Sequence, residues 1–426
     1  MHEFAAELFP ICRSITGDGV RKTLQIMQRE IPLKVIEVPS GSRVFDWEVP
    51  LEWNILDAFI EDPDGKRVVD FADNNLHVMS YSTPVDKTLV LQDLEKYFHI
   101  DSRNAQWIPY RTSYYEPNWG FCLAETTKRS LRAGNYRVRI DSRLEKGSLT
   151  YGELLIPGAS KAEILIYSHT CHPSLANDNV SGLAVTTWLA RRLLGRANKF
   201  SYRFVWGPGT IGSITWLAQN KTQLDNVQHA LVCCLLGRPG PLHYKRTPSG
   251  CRDIDDIVES VLAQGEYESV ILDFDPYGYD ERQFCSPGVD LPAGRLSRLP
   301  NDAYVEYHSS ADNMELIEST TLEESLECLS MIMEELDCST YYRNTAPNGE
   351  PQLGRRGLYS AVGGMSPKDR QLIMLWLLNQ SDGRHSLQSI ARRTGLELDQ
   401  LHIVANELVN VGLLVDVNIA HQENEK

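Results

Sequence analysis

Three textures along the chain predict an α/β fold interrupted by an all-β insertion and closed by a winged helix. Residues 151–340 alternate short apolar runs with amphipathic helical patterns, residues 45–150 carry short alternating runs cut by turns, and the chain beyond 358 turns helical after a stretch rich in Pro and Gly. The expected division is 1–44 plus 146–343 for the α/β domain, 45–145 for the insertion and 358–426 for the winged helix.

In chain order, residues 1–30 read as two helices broken by the turn Thr16-Gly17-Asp18-Gly19, and IPLKVIEVPSG follows as a strand. DAFIED, KRVVDF, LHVMSYS, LVLQ and YRVRID are the strands expected of a sandwich or jelly-roll-like module. Aromatics crowd IPYRTSYYEPNWGFC at 108–122, where Tyr110, Tyr114 and Trp119 suit either the module's own core or a wall over a pocket. EILIYS, YRFVWGPG, HALVCCLL and ESVILDF are strands alternating with helices, which predicts a mostly parallel sheet. NTAPNGEPQLGRRG (344–357) reads as a linker. DRQLIMLWLLNQ, SLQSIARRTG and ELDQLHIVANELVNVG are three helices, a strand follows, and HQENEK reads as a disordered tail.

The net charge of −15 argues against nucleic acid and anionic membrane as partners. No run approaches about eighteen apolar residues, so no membrane span is expected. Nine cysteines, an odd count without regular spacing, suggest reduced thiols and a cytoplasmic setting. The third helix of the winged unit carries Glu397, Asp399 and Glu407 and no Lys or Arg. That composition points to docking or self-association into an oligomer rather than to DNA.

The chemistry concentrates in YSHTCHPSLANDNVSG, 167–182, between a buried strand and a helix. His169, Cys171, His172 and Asp178 form a metal-ligand inventory at the edge where a parallel sheet presents its sites. The alternative is a polar turn that caps a helix. Asp280 in YDERQF and His308 in EYHSSADN lie in loops that converge on the same edge if the sheet is parallel. His169, Asp178, Asp280 and His308 would then make a mixed nitrogen and oxygen site suited to Zn²⁺, with Asp312 orienting His308.

The segments RSITGDGVRKTL, FDWEVPLEWNI, NNLHVMSYS, IPYRTSYYEPNWGFC, SHTCHPSLANDNVSG, YDERQFCSPGVDLP and EYHSSADN resemble the zinc-dependent aminopeptidase family of co-catalytic exopeptidases. They are most similar to its aminopeptidase-like branch with a jelly-roll insertion and a C-terminal winged helix. The resemblance implies a phosphorylase/hydrolase-like zinc-exopeptidase sandwich. It assigns His169 as the first histidine ligand, with Cys171 in place of the usual acidic residue. Asp178 becomes the metal-bridging aspartate, Asp280 the aspartate that completes one site, and His308 the histidine of the other. One position departs: the branch has a glutamate in a Pro-Glu-Thr-Ile-Gly-Ser loop, and this chain reads Pro208-Gly209-Thr210-Ile211-Gly212-Ser213. Glycine supplies neither a ligand nor a base.

Glu306, Glu281 and Cys171 are the candidates to substitute for the missing glutamate, and His172, Asp312, Tyr114 and Trp119 are candidate substrate or supporting residues. The expectation is an aminopeptidase-like enzyme with about one zinc per chain, acting on a small peptide or amino-acid-like substrate. The alternative is a catalytically degenerate binding or scaffold protein.

Overall fold

The computed structural model describes residues 1–265, 267–300, 303–358 and 367–417. An eight-stranded mixed sheet runs in the order Lys34–Pro39, Ser148–Ile156, Ser201–Gly207, Glu163–His169, Val227–Cys233, Ala293–Arg298, Leu242–Lys245, Ser269–Leu272. The middle four are mutually parallel. Glu163–His169 and Ser201–Gly207 are buried at every position, as interior strands with both faces covered must be. Alternate side chains serve opposite cores. Ile164 and Ile166 pack under the helices His2–Leu8, Asp18–Met27, Gly182–Leu193, Asp253–Gln264 and Ser319–Cys338, while Leu165 and Tyr167 join Ile211, Trp216 and Phe284 on the other face.

The sheet is less parallel than the sequence suggests. Ser148–Ile156 pairs antiparallel with both Lys34–Pro39 and Ser201–Gly207, and Leu242–Lys245 pairs antiparallel with Ala293–Arg298. The first departure follows from the insertion, which delivers the chain back to the sheet as a long antiparallel excursion rather than through a right-handed crossover helix.

The insertion is a β module, but the jelly-roll expectation does not hold among the described residues. Its core is one four-stranded antiparallel sheet in the order Arg67–Asp70, Glu52–Glu61, Asn135–Glu145, Val85–Val90, with Ala58, Ile60, Val138 and Ile140 facing inward. Instead of a second large sheet there are two two-stranded pieces, Arg43–Val44 with Trp47–Glu48 and Phe98–His99 with Phe121–Cys122. LHVMSYS and most of 108–122 are loops tied by isolated bridges such as Ser80 to Thr112. Their apolar residues do not alternate strictly, so no extended face is available to pair.

The C-terminal unit has the predicted helices at Pro367–Gln380, Leu387–Thr394 and Leu398–Asn410. Ser386 caps the second, its Oγ accepting from Ser389 N, and Gly395 ends it at φ 69°. The wing sheet is ordered Asp382–Ser386, Tyr341–Asn344, Leu414–Asp416, so its central strand precedes the segment expected as linker. The unit is docked on helix Asp253–Gln264: Asp253 accepts from Tyr341 OH at 2.8 Å and from Ser386 N at 3.1 Å. HQENEK lies outside the described residues. Among those residues no helix is long and apolar enough to cross a membrane.

Candidate metal centre

His169 is the last residue of the buried strand Glu163–His169, and the loop after it is fastened from both sides. Asn179 Nδ2 donates to Ser168 Oγ and His169 O, and its Oδ1 accepts from Leu235 N at the end of the next strand. Asn177 Oδ1 accepts from Gly237 N and Arg238 N. Gly182 opens the following helix because a Cβ there would stand 2.3 Å from Asn179 Oδ1. The polar residues of this loop therefore tie strand ends together rather than capping the helix, and Asp178 is left to face inward.

Asp178 is fully buried and gathers three imidazoles. His169 Nε2 lies 2.8 Å from its Oδ1, His308 Nε2 3.0 Å and His172 Nε2 3.8 Å from its Oδ2. One donor atom each from His169, His172 and Asp178 falls within 4.8 Å of the others. Burial pushes the Asp178 carboxyl up, but His172 and the hydrogen bonds from His169 and His308 outweigh it and hold the group well below the usual carboxylate range. Burial drives His172 down to about 3, keeping it neutral as a ligand must be. Aromatic rings fix the imidazoles: Tyr279 stacks on His169 at 5.0 Å, Tyr307 on His308 at 3.9 Å, and Tyr110 meets His172 and His308 edge-on, each at 5.1 Å.

Asp280 stands near His169, in the turn before Glu281–Phe284 and outside the group formed by His169, His172 and Asp178. Its Oδ1 accepts from Ser213 Oγ at 2.6 Å, whereas the buried Oδ2 has no protein partner. Burial pushes this carboxyl up to about 6. Gly209 stands beside it: a Cβ there would lie 3.1 Å from Asp280 Oδ2 and 3.4 Å from His169 Cβ. The donor set is imidazole nitrogen and carboxylate oxygen, and His169 Nδ1 and Asp280 Oδ2 are both buried without partners. Such a set fits a zinc ion, which would satisfy atoms the protein leaves open.

Several expected roles change in the structure. Asp312 does not orient His308; its Oδ1 accepts from Asn177 N at 2.6 Å and its Oδ2 from Asp178 N and Tyr304 OH, so it shapes the backbone that carries Asp178. Glu306 faces Arg238, 3.6 Å away. Glu281 is buried between Lys245 at 2.8 Å and Arg295 at 3.5 Å. Cys171 is buried with its sulfur 3.5 Å from His172 Nδ1, and burial pushes its thiol far up, away from the thiolate a nucleophile requires. Trp119 stacks on Tyr97 at 3.7 Å within the β module, whereas Tyr114 bonds Tyr110 OH at 2.8 Å next to the histidines. His172, expected in a supporting role, stands among the potential ligands; its three-residue spacing from His169 was the available signal. Tyr279 and Tyr307 carried only the hint of adjoining Asp280 and His308.

A family model described as a domain of unknown function (DUF4910) matches residues 2–339, and a winged helix-turn-helix model matches 340–416. A Clostridium acetobutylicum protein named as a putative polysaccharide biosynthesis protein with aminopeptidase-like domain is 47% identical over 416 residues, 97% of this chain and 95% of its own. The crystal structure of a putative peptidase from Clostridium acetobutylicum superposes with a TM-score of 0.81 at 46% identity, covering 98% of this chain and 96% of that one. A zinc aminopeptidase from Bacillus subtilis shares the fold at 12% identity, with a TM-score of 0.57 over 79% of this chain and 94% of its own. An aminopeptidase from Aneurinibacillus does so at 12% identity, with a TM-score of 0.51 over 78% and 92%.

Proposed function

The chain belongs to the DUF4910 family, carrying an aminopeptidase-like α/β domain and a winged helix, and from that premise we propose that it is a single-zinc amide-processing enzyme acting on a small peptide-like substrate. The observation that supports this is the convergence of His169, His172 and His308 on the buried carboxylate of Asp178, with the free Oδ2 of Asp280 alongside. His169, Asp178 and Asp280 would hold the ion, with His308 or His172 completing four ligands. When bound, zinc lowers the pKa of a water ligand and polarises the scissile carbonyl.

The protein's own groups do the rest. Asp178 draws the imidazoles into one geometry, Asp312 holds the backbone under it, and the Tyr279 and Tyr307 rings keep His169 and His308 from rotating. Proton transfer is where this site is atypical, because position 209 has no side chain. Glu281 is held by two cations and Glu306 faces Arg238. Asp280, open at Oδ2, is counted among the groups that would hold the ion and so supplies no base in place of the side chain that position 209 lacks. An amide step within polysaccharide biosynthesis would agree with the name of the Clostridium relative.

Metal content measured by mass spectrometry, on protein purified without added metal or chelator, tests the reading. About one zinc per chain is expected, and His169→Ala should lose both the zinc and turnover. Gly209 favours a second reading, in which the fold survives as a binding module. Absence of zinc, with none taken up on titration, would leave that reading standing.

A further inference from the structure

We infer that a cavity of about 370 Å³ at the seam between the α/β domain and the winged unit binds a small phosphorylated compound that carries hydroxyl groups, with Arg343 and Arg384 meeting the phosphate. One wall comes from the α/β domain, through His229 on strand Val227–Cys233 and through Arg252 and Asp253 at the start of helix Asp253–Gln264. The other comes from the wing sheet, through Arg343 on Tyr341–Asn344 and through Asp382, Gly383 and Arg384 on Asp382–Ser386. The cavity stands apart from the metal centre: none of the residues lining it is a candidate ligand.

Charge decides the first half of the guest. Three of the carboxylates lining the cavity are already engaged. Asp253 accepts from Tyr341 OH and Ser386 N, Asp382 Oδ1 accepts from Arg384 N and His385 N beside His385 Nδ1, and Asp290 faces Arg252 at 3.4 Å. The fourth, Asp225, is exposed to water. By contrast, the guanidinium groups of Arg343 and Arg384 have no acceptor among the described residues. Gly383 seats the first of them: its φ of 86° is one that glycine adopts freely, and a Cβ there would come within 3.2 Å of Arg343 Nε. Two unpaired guanidiniums on neighbouring strands, with Arg252 on the opposite wall, match a dianion, and their planar forks suit phosphate oxygens.

His229 decides the second half. It is 2% exposed, it lines the cavity, and its Nδ1 has no partner. Tyr341 OH donates its one proton to Asp253 Oδ2, so the phenol oxygen accepts from His229 Nε2 at 3.0 Å. Burial brings this imidazole down to about 4, so the ring is neutral and Nδ1 is left as an acceptor. A phosphate dianion has no proton to give it, whereas a hydroxyl on the same guest does. The volume, within the range of small-molecule sites, has room for more than a phosphate ion. Because its walls come from both units, such a guest ties the winged unit to the α/β domain beside the bonds that Asp253 already makes.

The test is calorimetric titration of the full-length protein with glucose 6-phosphate, glucose and inorganic phosphate. Glucose 6-phosphate should bind, inorganic phosphate should bind about tenfold more weakly, and glucose should give no heat at the same concentrations. Arg343→Gln and Arg384→Gln, both at exposed positions, should each weaken glucose 6-phosphate about tenfold or more, the loss of one hydrogen bond to a charged group. Arg343→Lys and Arg384→Lys, which keep the charge and lose the fork, should weaken it less and serve where a glutamine variant does not fold. His169→Ala, at the metal centre, should leave the affinity unchanged. No heat from glucose 6-phosphate up to about 10 mM, or an affinity that none of the arginine variants alters, overturns the site. Loss in His169→Ala alone would place the anion at the metal centre instead. Equal affinities for glucose 6-phosphate and inorganic phosphate would overturn the hydroxyl-bearing guest and leave an adventitious ion only.

Discussion

The two sides of the site are built from loops that leave neighbouring strands of one sheet, yet they are furnished differently. On the Asp178 side the carboxylate and its loop are held by side chains: three imidazoles surround the carboxylate, Asp312 braces the backbone, and two asparagines tie the loop to adjacent strands, while His169 Nδ1 stays without a partner. On the Gly209 side there is no side chain at all, and Asp280 Oδ2 is buried without a protein partner. In the proposed reading the first side would give His169 and Asp178 to the ion and the second Asp280. The second lacks the carboxylate that would move a proton. In the proposed reading, the histidine and aspartate ligands are thus separable from position 209, where a side chain would have supplied both a base and a further ligand.

The most forceful way to break that contrast is Gly209→Glu. It places a carboxylate beside Asp280 and His169, with a Cβ contact of 3.1 Å to Asp280 Oδ2 that requires a small outward adjustment. Hydrolysis of an amino-acid anilide should rise by roughly 10²-fold, the lower end of what a positioned base contributes, and metal content should rise above the natural level. A variant that folds but shows neither gain would mean that the loop at 209 no longer addresses the reacting centre.

The contrast also explains what could be read from the sequence. His169 and Asp178 were legible because ten residues between a buried strand and a helix carry an unusual density of ligand types. Asp280 and His308 offered only a sheet-edge argument until a family resemblance aligned them, since their pairing with the loop spans more than a hundred residues. The partner of Asp312 was not legible: its acceptors face backbone N–H groups of residues 177 and 178, and backbone donors leave no trace in side-chain pattern. The interior strands were visible as apolar runs, but the direction of Ser148–Ile156 depends on how the insertion returns the chain. The insertion read as β from its turns and alternation. Its sheet count did not, because apolar loops such as 108–122 look much like strands without strict period two.

A milder intervention concerns how the insertion is attached to the α/β domain. Apart from Tyr110 the Asp178 side belongs to the α/β domain, whereas Trp47 and Tyr114 beside Gly209 belong to the insertion, which is pinned where Glu52 meets Arg21 at 2.6 Å, Ser148 N at 2.8 Å and Asn54 Nδ2 at 2.9 Å. The hydrogen bonds from Arg21, opposed by burial and aided by Ser148 N, bring the Glu52 carboxyl down to about 2. Because the folded pKa is depressed, this contribution is present above the unfolded value of about 4.3 and is lost as pH falls from there toward 2. Glu52→Gln should therefore cost about 1–2 kcal/mol at pH 7 in urea unfolding and little near pH 2. A cost independent of pH would assign the effect to packing instead of charge.

The smallest expected effect is at the winged helix, and there the sharpest result is no change. In the usual DNA-binding use of this architecture, the third helix enters the major groove and cations neutralise phosphate. Here the exposed residues of Leu398–Asn410 include Asp399, Ile403, Asn406 and Asn410, and the helix has no Lys or Arg. Its neighbour Leu387–Thr394 is committed to the α/β domain, with Ser389 Oγ 2.5 Å from Asp256 Oδ2 and the preceding Ser386 N held by Asp253. Without cations on the reading helix the electrostatic share of affinity, which grows at low salt, has no source on that face. Duplex DNA in a shift assay at about 50 mM salt should run unretarded at micromolar protein. Salt-sensitive retardation that survives Asp399→Asn would show that basic residues elsewhere, such as Arg392 and Arg393 on the second helix, carry the contact, and the unit would then belong to regulation and not to the architecture of the site.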